Sequence, residues 1–205
     1  MKKIVTLFSL FTIFYCKAQS PIIPLYTQST YSGGIITDAY YKDVDSLQNQ
    51  FVGSWKYTNG PTTFKIVLSK FNTHYNGKYY EDIIVGEYEY YENGVLKIST
   101  LSNLLIPQVS RIFNIRGRII FPGSVGNPLC DDCSDTDRKV IKLDFFDRER
   151  DLSADIYLRR ADVGTQLALR VTIFPTMIVT VPGDTRTNFD LSVPTFNNII
   201  MLKEN

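Results

Sequence analysis

Two thiols three residues apart, a single histidine and a few carboxylate pairs are the side chains of this sequence with chemistry to offer. Cys130-Asp131-Asp132-Cys133 has the spacing of a redox pair. A reactive thiol, however, needs a thiolate stabilised by positive charge or by a helix N-terminus. Asp131 and Asp132 lie between these sulfurs, with Asp135 and Asp137 just beyond, and they oppose ionisation of either thiol. A structural zinc would need two further ligands, and the one histidine, His74, is far away in sequence with no second cysteine pair. Asp131 to Asp137 also offers oxygen ligands of the kind calcium takes, but the central Gly and terminal Glu of the EF-hand loop are absent. A solvated acidic loop is the simpler reading, and no metal or cofactor is expected.

His74, in Asn72-Thr73-His74-Tyr75-Asn76-Gly77, is the one candidate for a general base of the usual type, and its setting reads as a loop at a hairpin tip. No G-x-S-x-G supplies a nucleophile. Glu87 and Glu89 share one strand face opposite Tyr88 and Tyr90. Carboxylates two apart on a strand meet glycosidase spacing trivially, so the pair carries little information. An enzyme therefore ranks behind a binding function.

The first residues carry an export signal. Lys2-Lys3 precedes an apolar run from Ile4 to Phe14, and Cys16-Lys17-Ala18 offers small residues at alternate positions, so residues 1–18 are expected to be cleaved. The run of about eleven residues is short of the roughly 20 that span a bilayer as a helix, and no transmembrane segment follows. The protein is expected to be periplasmic or extracellular. The minor alternative, a lipoprotein anchored through Cys16, is opposed by the bulky Ile13-Phe14-Tyr15 before the cysteine. Removing Lys2, Lys3 and Lys17 turns the formal +1 into about −2. The remaining charges are interspersed, with no basic stripe for phosphates, which argues against a nucleic-acid partner. Cleavage also leaves Cys130 and Cys133 as the only cysteines in an oxidising compartment, which favours a disulfide between them.

These residues must be positioned by strands. Residues 19–42 are rich in Pro, Ser, Thr, Tyr and Gly without a sustained period and read as an extended N-terminal arm. Asp43 to Phe51 reads as a short helix that Asp43 or Asp45 can cap, with Val44, Leu47 and Phe51 on one side. From Trp55 onward alternation of period two dominates, punctuated by Asn59-Gly60-Pro61, Asn76-Gly77 and Glu92-Asn93-Gly94. Further strands are expected at 111–121, 140–147, 153–160, 166–174, 177–181 and 198–203. The charged run Asp147 to Asp151 reads as a solvated hairpin tip. About ten short strands without a long internal repeat predict an all-β domain over residues 43–205, either a barrel or a β-sandwich.

The stretch from Asp45 to Leu68 places a short helix before Gly53-Ser54-Trp55 on a first strand, followed by a hairpin to an amphipathic second strand. This resembles the start of the lipocalin or calycin fold. The resemblance implies an antiparallel up-and-down β-barrel with Trp55 packed across its closed end and the helical turn plugging that end. It also implies a cation from the last strand above the tryptophan, for which Arg170 is the nearest counterpart. The whole chain further resembles an uncharacterised family of small secreted proteins of Gram-negative bacteria, through Tyr40-Tyr41-Lys42-Asp43 and Phe51 to Gly60.

The expected function is that of a non-catalytic binding protein holding a small apolar ligand in the barrel. Trp55, Tyr57, Tyr88, Tyr90, Phe113 and Phe145 are the candidate lining residues. The alternative is a surface module that contacts a glycan or a protein through exposed aromatics. The disulfide expectation has a direct check: labelling the oxidised, mature protein with a thiol reagent should find no free cysteine, and two labelled cysteines would contradict it.

Overall fold

The computed structural model describes residues 21–25, 34–108, 112–121, 140–176 and 188–204. Within them are eleven strands: β1 (Ile22–Pro24), β2 (Tyr40–Lys42), β3 (Gly53–Asn59), β4 (Thr62–Tyr75), β5 (Tyr80–Glu92), β6 (Val95–Ser99), β7 (Ile115–Phe121), β8 (Val140–Asp147), β9 (Leu152–Arg160), β10 (Ala168–Pro175) and β11 (Ile199–Lys203). Two 3₁₀ turns, Leu47–Phe51 and Leu101–Leu105, interrupt them. The expected strand at 177–181, the export signal and the Cys130 to Asp137 loop lie outside the described residues.

Strands β3, β4, β5, β7, β8, β9, β10 and β11 pair antiparallel in that order, and β11 returns to β3. This is the closed, eight-stranded up-and-down barrel that the G-x-W resemblance implied; the sandwich is not adopted. Alternation decides which side chains fill it. Phe64, Ile66 and Leu68 of β4, Ile84, Tyr88 and Tyr90 of β5, and Leu169, Val171 and Ile173 of β10 belong to one buried cluster.

Strand β5 is the spine of the barrel. One edge pairs with β4 along almost its full length. The other edge is divided among four partners. Tyr80 and Glu81 meet β2, Ile84 to Gly86 meet β7, the backbone of Tyr88 is bonded by the Thr100 hydroxyl, and Glu89 to Glu92 meet β6. At Gly86 the barrel wall is tight, because a Cβ there would lie 2.5 Å from Leu68 Cδ2 and 2.6 Å from the Val67 carbonyl oxygen.

Residues of the N-terminal arm reach the barrel through a buried carboxylate pair. Asp82 on β5 accepts from the Tyr40 hydroxyl and, at 3.0 Å, from the Asp43 amide. Asp43 in turn accepts from the amides of Leu47 (2.8 Å) and Gln48 (3.0 Å), and its charge is balanced by Lys70 at 2.8 Å. Asp43 thus satisfies the first amides of the turn, as expected, but from a position upstream of Ser46, the residue that directly precedes the turn. The element it starts is a single 3₁₀ turn, because Val52 already has an extended backbone and leads into β3.

That turn closes one end of the barrel over Trp55, which is fully buried. The indole Nε1 donates to the Phe51 carbonyl at 2.8 Å. Two cations cover the ring, Arg160 of β9 and Lys203 of β11, each 5.5 Å from its centre. Arg160 is held by Asp162 at 2.6 Å and donates to the Gln50 carbonyl at 3.2 Å. Arg170 is not the covering cation. It alternates with inward-facing Leu169 and Val171 and so points away from the core. The last strand does provide one cation, Lys203.

Gly53 has a backbone φ of +133°, and a Cβ there would come within 2.8 Å of Lys203 Cε. The missing side chain leaves the path along which the lysine reaches the indole. Gly53→Ala is therefore expected to lower stability by about 1–3 kcal/mol, measured by urea unfolding; a change below about 0.5 kcal/mol would contradict this account of the motif.

The β3–β11 seam is short, with only Lys56–Leu202 and Trp55–Lys203 in register. Glu204 extends it: its amide donates to the Ser54 carbonyl, and its carboxylate accepts from the Ser54 hydroxyl at 2.7 Å and from Lys65 at 2.7 Å. The Lys65 bond, then Ser54, hold this carboxyl below the usual range. Its contribution is thus complete above the unfolded pKa of about 4.3 and is lost as pH falls through the lower folded value. Glu204→Gln should remove on the order of 0.5–1 kcal/mol at pH 7 and flatten the acid limb of stability against pH. An unchanged acid limb would show that Glu204 does not clasp the seam.

Candidate functional site

The other end of the barrel is built differently. The β3–β4, β5–β6 and β8–β9 hairpins gather there, and the inward side chains beneath them are aromatic: Tyr57 of β3, Phe64 of β4, Tyr88 and Tyr90 of β5 and Phe145 of β8. Tyr88 and Phe145 lie 4.6 Å apart between ring centres, and Phe64 and Tyr88 6.3 Å. What covers them is a strap of non-strand chain, residues 188–198, leading into β11. Its Val193 and Phe196 enter the barrel and are almost fully buried. The Phe196 ring is caged by Phe64 at 4.9 Å, Tyr57 at 5.6 Å and Tyr90 at 6.3 Å. Burial of two such side chains is worth roughly 1.5–3 kcal/mol each.

Polar bonds also fasten the strap. Asp147, at the end of β8 and fully buried, accepts from the amide of Ser192 and, at 2.8 Å, from its hydroxyl. The same carboxylate takes the amides of Glu149 (3.0 Å) and Arg150 (3.3 Å), so it shapes the β8–β9 turn and latches the strap together. Further along, the Phe196 carbonyl accepts from the Ile173 amide and the Asn198 amide donates to the Thr172 hydroxyl, each at 2.8 Å. The run Asp147 to Asp151 was expected to be solvated throughout. Arg148 to Asp151 are exposed, but Asp147 is not, because its carboxylate satisfies amides of two irregular segments.

Beside the strap a cleft of about 380 Å³ opens to solvent, lined by Tyr90, Lys97, Arg150, Ser192 and Val193 among others. Tyr90 belongs both to the cleft and to the buried aromatic cluster, so the two are contiguous. Burial pushes the phenols of Tyr88 and Tyr90 above their ordinary value, helped by Asp147 near Tyr88 and by Glu92 near Tyr90. Both stay protonated at neutral pH. This end of the barrel therefore offers apolar faces and phenol hydroxyls, a set suited to holding a molecule.

Of the six lining residues expected from the sequence, Tyr57, Tyr88, Tyr90 and Phe145 come together here. Trp55 lies in the same buried cluster toward the sealed end, where it is already engaged by Phe51, Arg160 and Lys203. Phe113 does not join them. It packs with Ile83, Val85 and Phe71 on the opposite face of β5, because it precedes β7 and takes no part in that strand's inward alternation. Cys130 and Cys133 lie outside the described residues. Val193 and Phe196 carry no periodic signal, since they sit in the stretch Leu191-Ser192-Val193-Pro194-Thr195-Phe196; two apolar residues around a proline before a strand are the only hint.

His74 is not on a loop. It pairs with Glu81 near the end of β4 and lies 5.2 Å from the Phe71 ring. Burial, then Arg116, lower its pKa. Glu87 is fully buried on the outer side of β5, where Asn114 and Asn103 donate to Oε2 while Oε1 has no hydrogen-bond partner. Among the described residues no three His, Cys, Asp or Glu side chains are grouped so as to hold a metal ion, and no helix is long and apolar enough to cross a membrane.

No curated protein and no solved structure matches the chain. The model of one family, described as a family of unknown function (DUF6705), matches residues 1–204. With that match over nearly all of its length, the chain belongs to the DUF6705 family.

Proposed function

We propose that this protein is an exported, non-catalytic binding protein that holds a small apolar or amphipathic molecule at the aromatic end of its barrel. The observation that carries the reading is the difference between the barrel's two ends. The Trp55 end is sealed by a buried indole, a hydrogen-bonded turn and two cations, whereas the other end is lined by five aromatic rings over which, among the described residues, the non-strand strap lies. Binding would bury the apolar part of the ligand against Tyr57, Phe64 and Tyr90, with phenol hydroxyls and the cleft's charged rim taking the polar part. Export rests on residues 1–18, whose basic pair, apolar run and small residues have the order of a cleaved signal.

One observation favours the alternative of a surface module. On the outer wall Phe121, Tyr157 and Phe174 form a ladder of rings 6.3 and 5.7 Å apart, with Phe174 exposed. Half-exposed aromatic faces suit a sugar ring or a partner protein.

A panel of apolar and amphipathic molecules, read by native mass spectrometry and by melting temperature, separates the two. A ligand at one hundred times its Kd adds about 2.7 kcal/mol and should raise Tm by roughly 5–10 °C. A panel that yields neither a bound mass nor a shift removes the barrel reading. Retention on a glycan array that is lost in Tyr157→Ala would replace it with the surface reading.

A further inference from the structure

We infer that residues 188–198 are a gate, and that the ligand is a small aromatic amphiphile which enters by taking the place of the Phe196 ring. The inference deepens the binding function proposed above and rests on it. Three observations carry it.

The first is that Phe196 occupies the barrel without belonging to its wall. Every other ring in the cage comes from a paired strand and cannot leave without breaking a ladder of backbone bonds. Phe196 comes from a segment outside any strand, whose contacts include its own insertion and the bonds of Ser192, Phe196 and Asn198. The second is the cage itself. Phe64, Tyr57 and Tyr90 surround one ring at 4.9, 5.6 and 6.3 Å, and two of the contacts are edge-to-face. Such a site fits a second aromatic ring of similar size, because the quadrupoles of the cage select ring geometry and not merely apolar bulk. The third is the adjoining cleft, whose rim carries Lys97, Arg150, Glu92 and Glu149, with Lys97 and Glu92 paired at 3.3 Å. A polar group attached to the inserted ring can stay hydrated there, so an amphiphile avoids the desolvation that would oppose burying a charged molecule whole.

The latch is placed to control opening. Asp147 is fixed by the β8–β9 turn, while Ser192 belongs to the strap, so their bonds are among the links that must break when the strap lifts, together with the Ile173–Phe196 backbone bond. A closed protein with a minor open state predicts a specific kinetic signature: at high ligand concentration the binding rate reaches a plateau set by opening.

The test uses the full mature protein and 1-anilinonaphthalene-8-sulfonate, an aromatic amphiphile whose emission rises in an apolar site, in stopped-flow mixing. Wild type, Ser192→Ala and Phe196→Ala are compared after each has shown a cooperative thermal unfolding transition. Ser192→Ala removes one hydrogen bond of the latch and leaves Phe196 in place. It should raise the plateau rate about tenfold, as expected for loss of one charge-assisted bond. Phe196→Ala removes the competing ring and should bind the probe at least tenfold more tightly. A merely structural Phe196 would not give a plateau that moves with Ser192. If the wild type binds with rates that rise linearly and are unchanged in Ser192→Ala, the gate is overturned while the binding function stands. If none of the three proteins binds the probe and none binds any member of the ligand panel, both fall together.

Discussion

The contact on which the rest of this barrel depends is the one between Trp55 and its surroundings. One indole joins four pieces of chain: the turn through Phe51, β3 through its own backbone, β9 through Arg160 and β11 through Lys203. A barrel closes only if its first and last strands meet, and here they share just two residue pairs before Glu204 adds its clasp. The tryptophan supplies a large buried surface at that weak seam, and its N–H is satisfied by a carbonyl of the turn that seals the end. Gly53 is part of the same constraint, because a side chain there would collide with the lysine above the ring.

A second theme is the use of buried carboxylates to secure chain that has no ladder of its own. Asp82 and Asp43 fasten the segment before β3, and Asp147 fastens both a hairpin and the strap. Each accepts from several backbone amides, which is how a buried negative charge is accommodated without a full complement of cations. Lys70 shares in one of these sites, whereas Asp147 is served by amides and one hydroxyl. The irregular parts of the protein are thus attached to the barrel at defined points.

The two ends of the barrel consequently differ in kind. At the Trp55 end, hydrogen bonds, cations and a closed turn converge on one side chain. At the strap end, rings from β3, β4, β5 and β8 lie beneath a covering segment that inserts Val193 and Phe196 among them. The proposed binding site lies where the cover is a segment outside the strands of the wall, and that distinction is a property of chain connectivity as much as of residue type.

Much of this was legible in the amino-acid sequence. Alternation in β4, β5 and β10, and the turns at Asn59-Gly60 and Asn93-Gly94, are local consequences of side-chain period and backbone freedom, so the strands and their inward faces follow from them. Gly53 and Trp55 marked the sealed end, and four of the six aromatics read as lining do meet at the other. What only the tertiary structure decided were matters of long-range contact. Arg160 of β9 and Lys203 of β11 cover the indole where Arg170 was expected, because Arg170 lies one step from inward-facing Leu169 and Val171 and so takes the other face of its strand. Asp147 is buried within a charged run because distant Ser192 comes to it. Phe196, in a stretch with no period at all, fills the barrel because residues 188–198, which lead into β11, cross its mouth. Local pattern fixes a side chain's face within a strand; only closure of the barrel determines which neighbours that face will find.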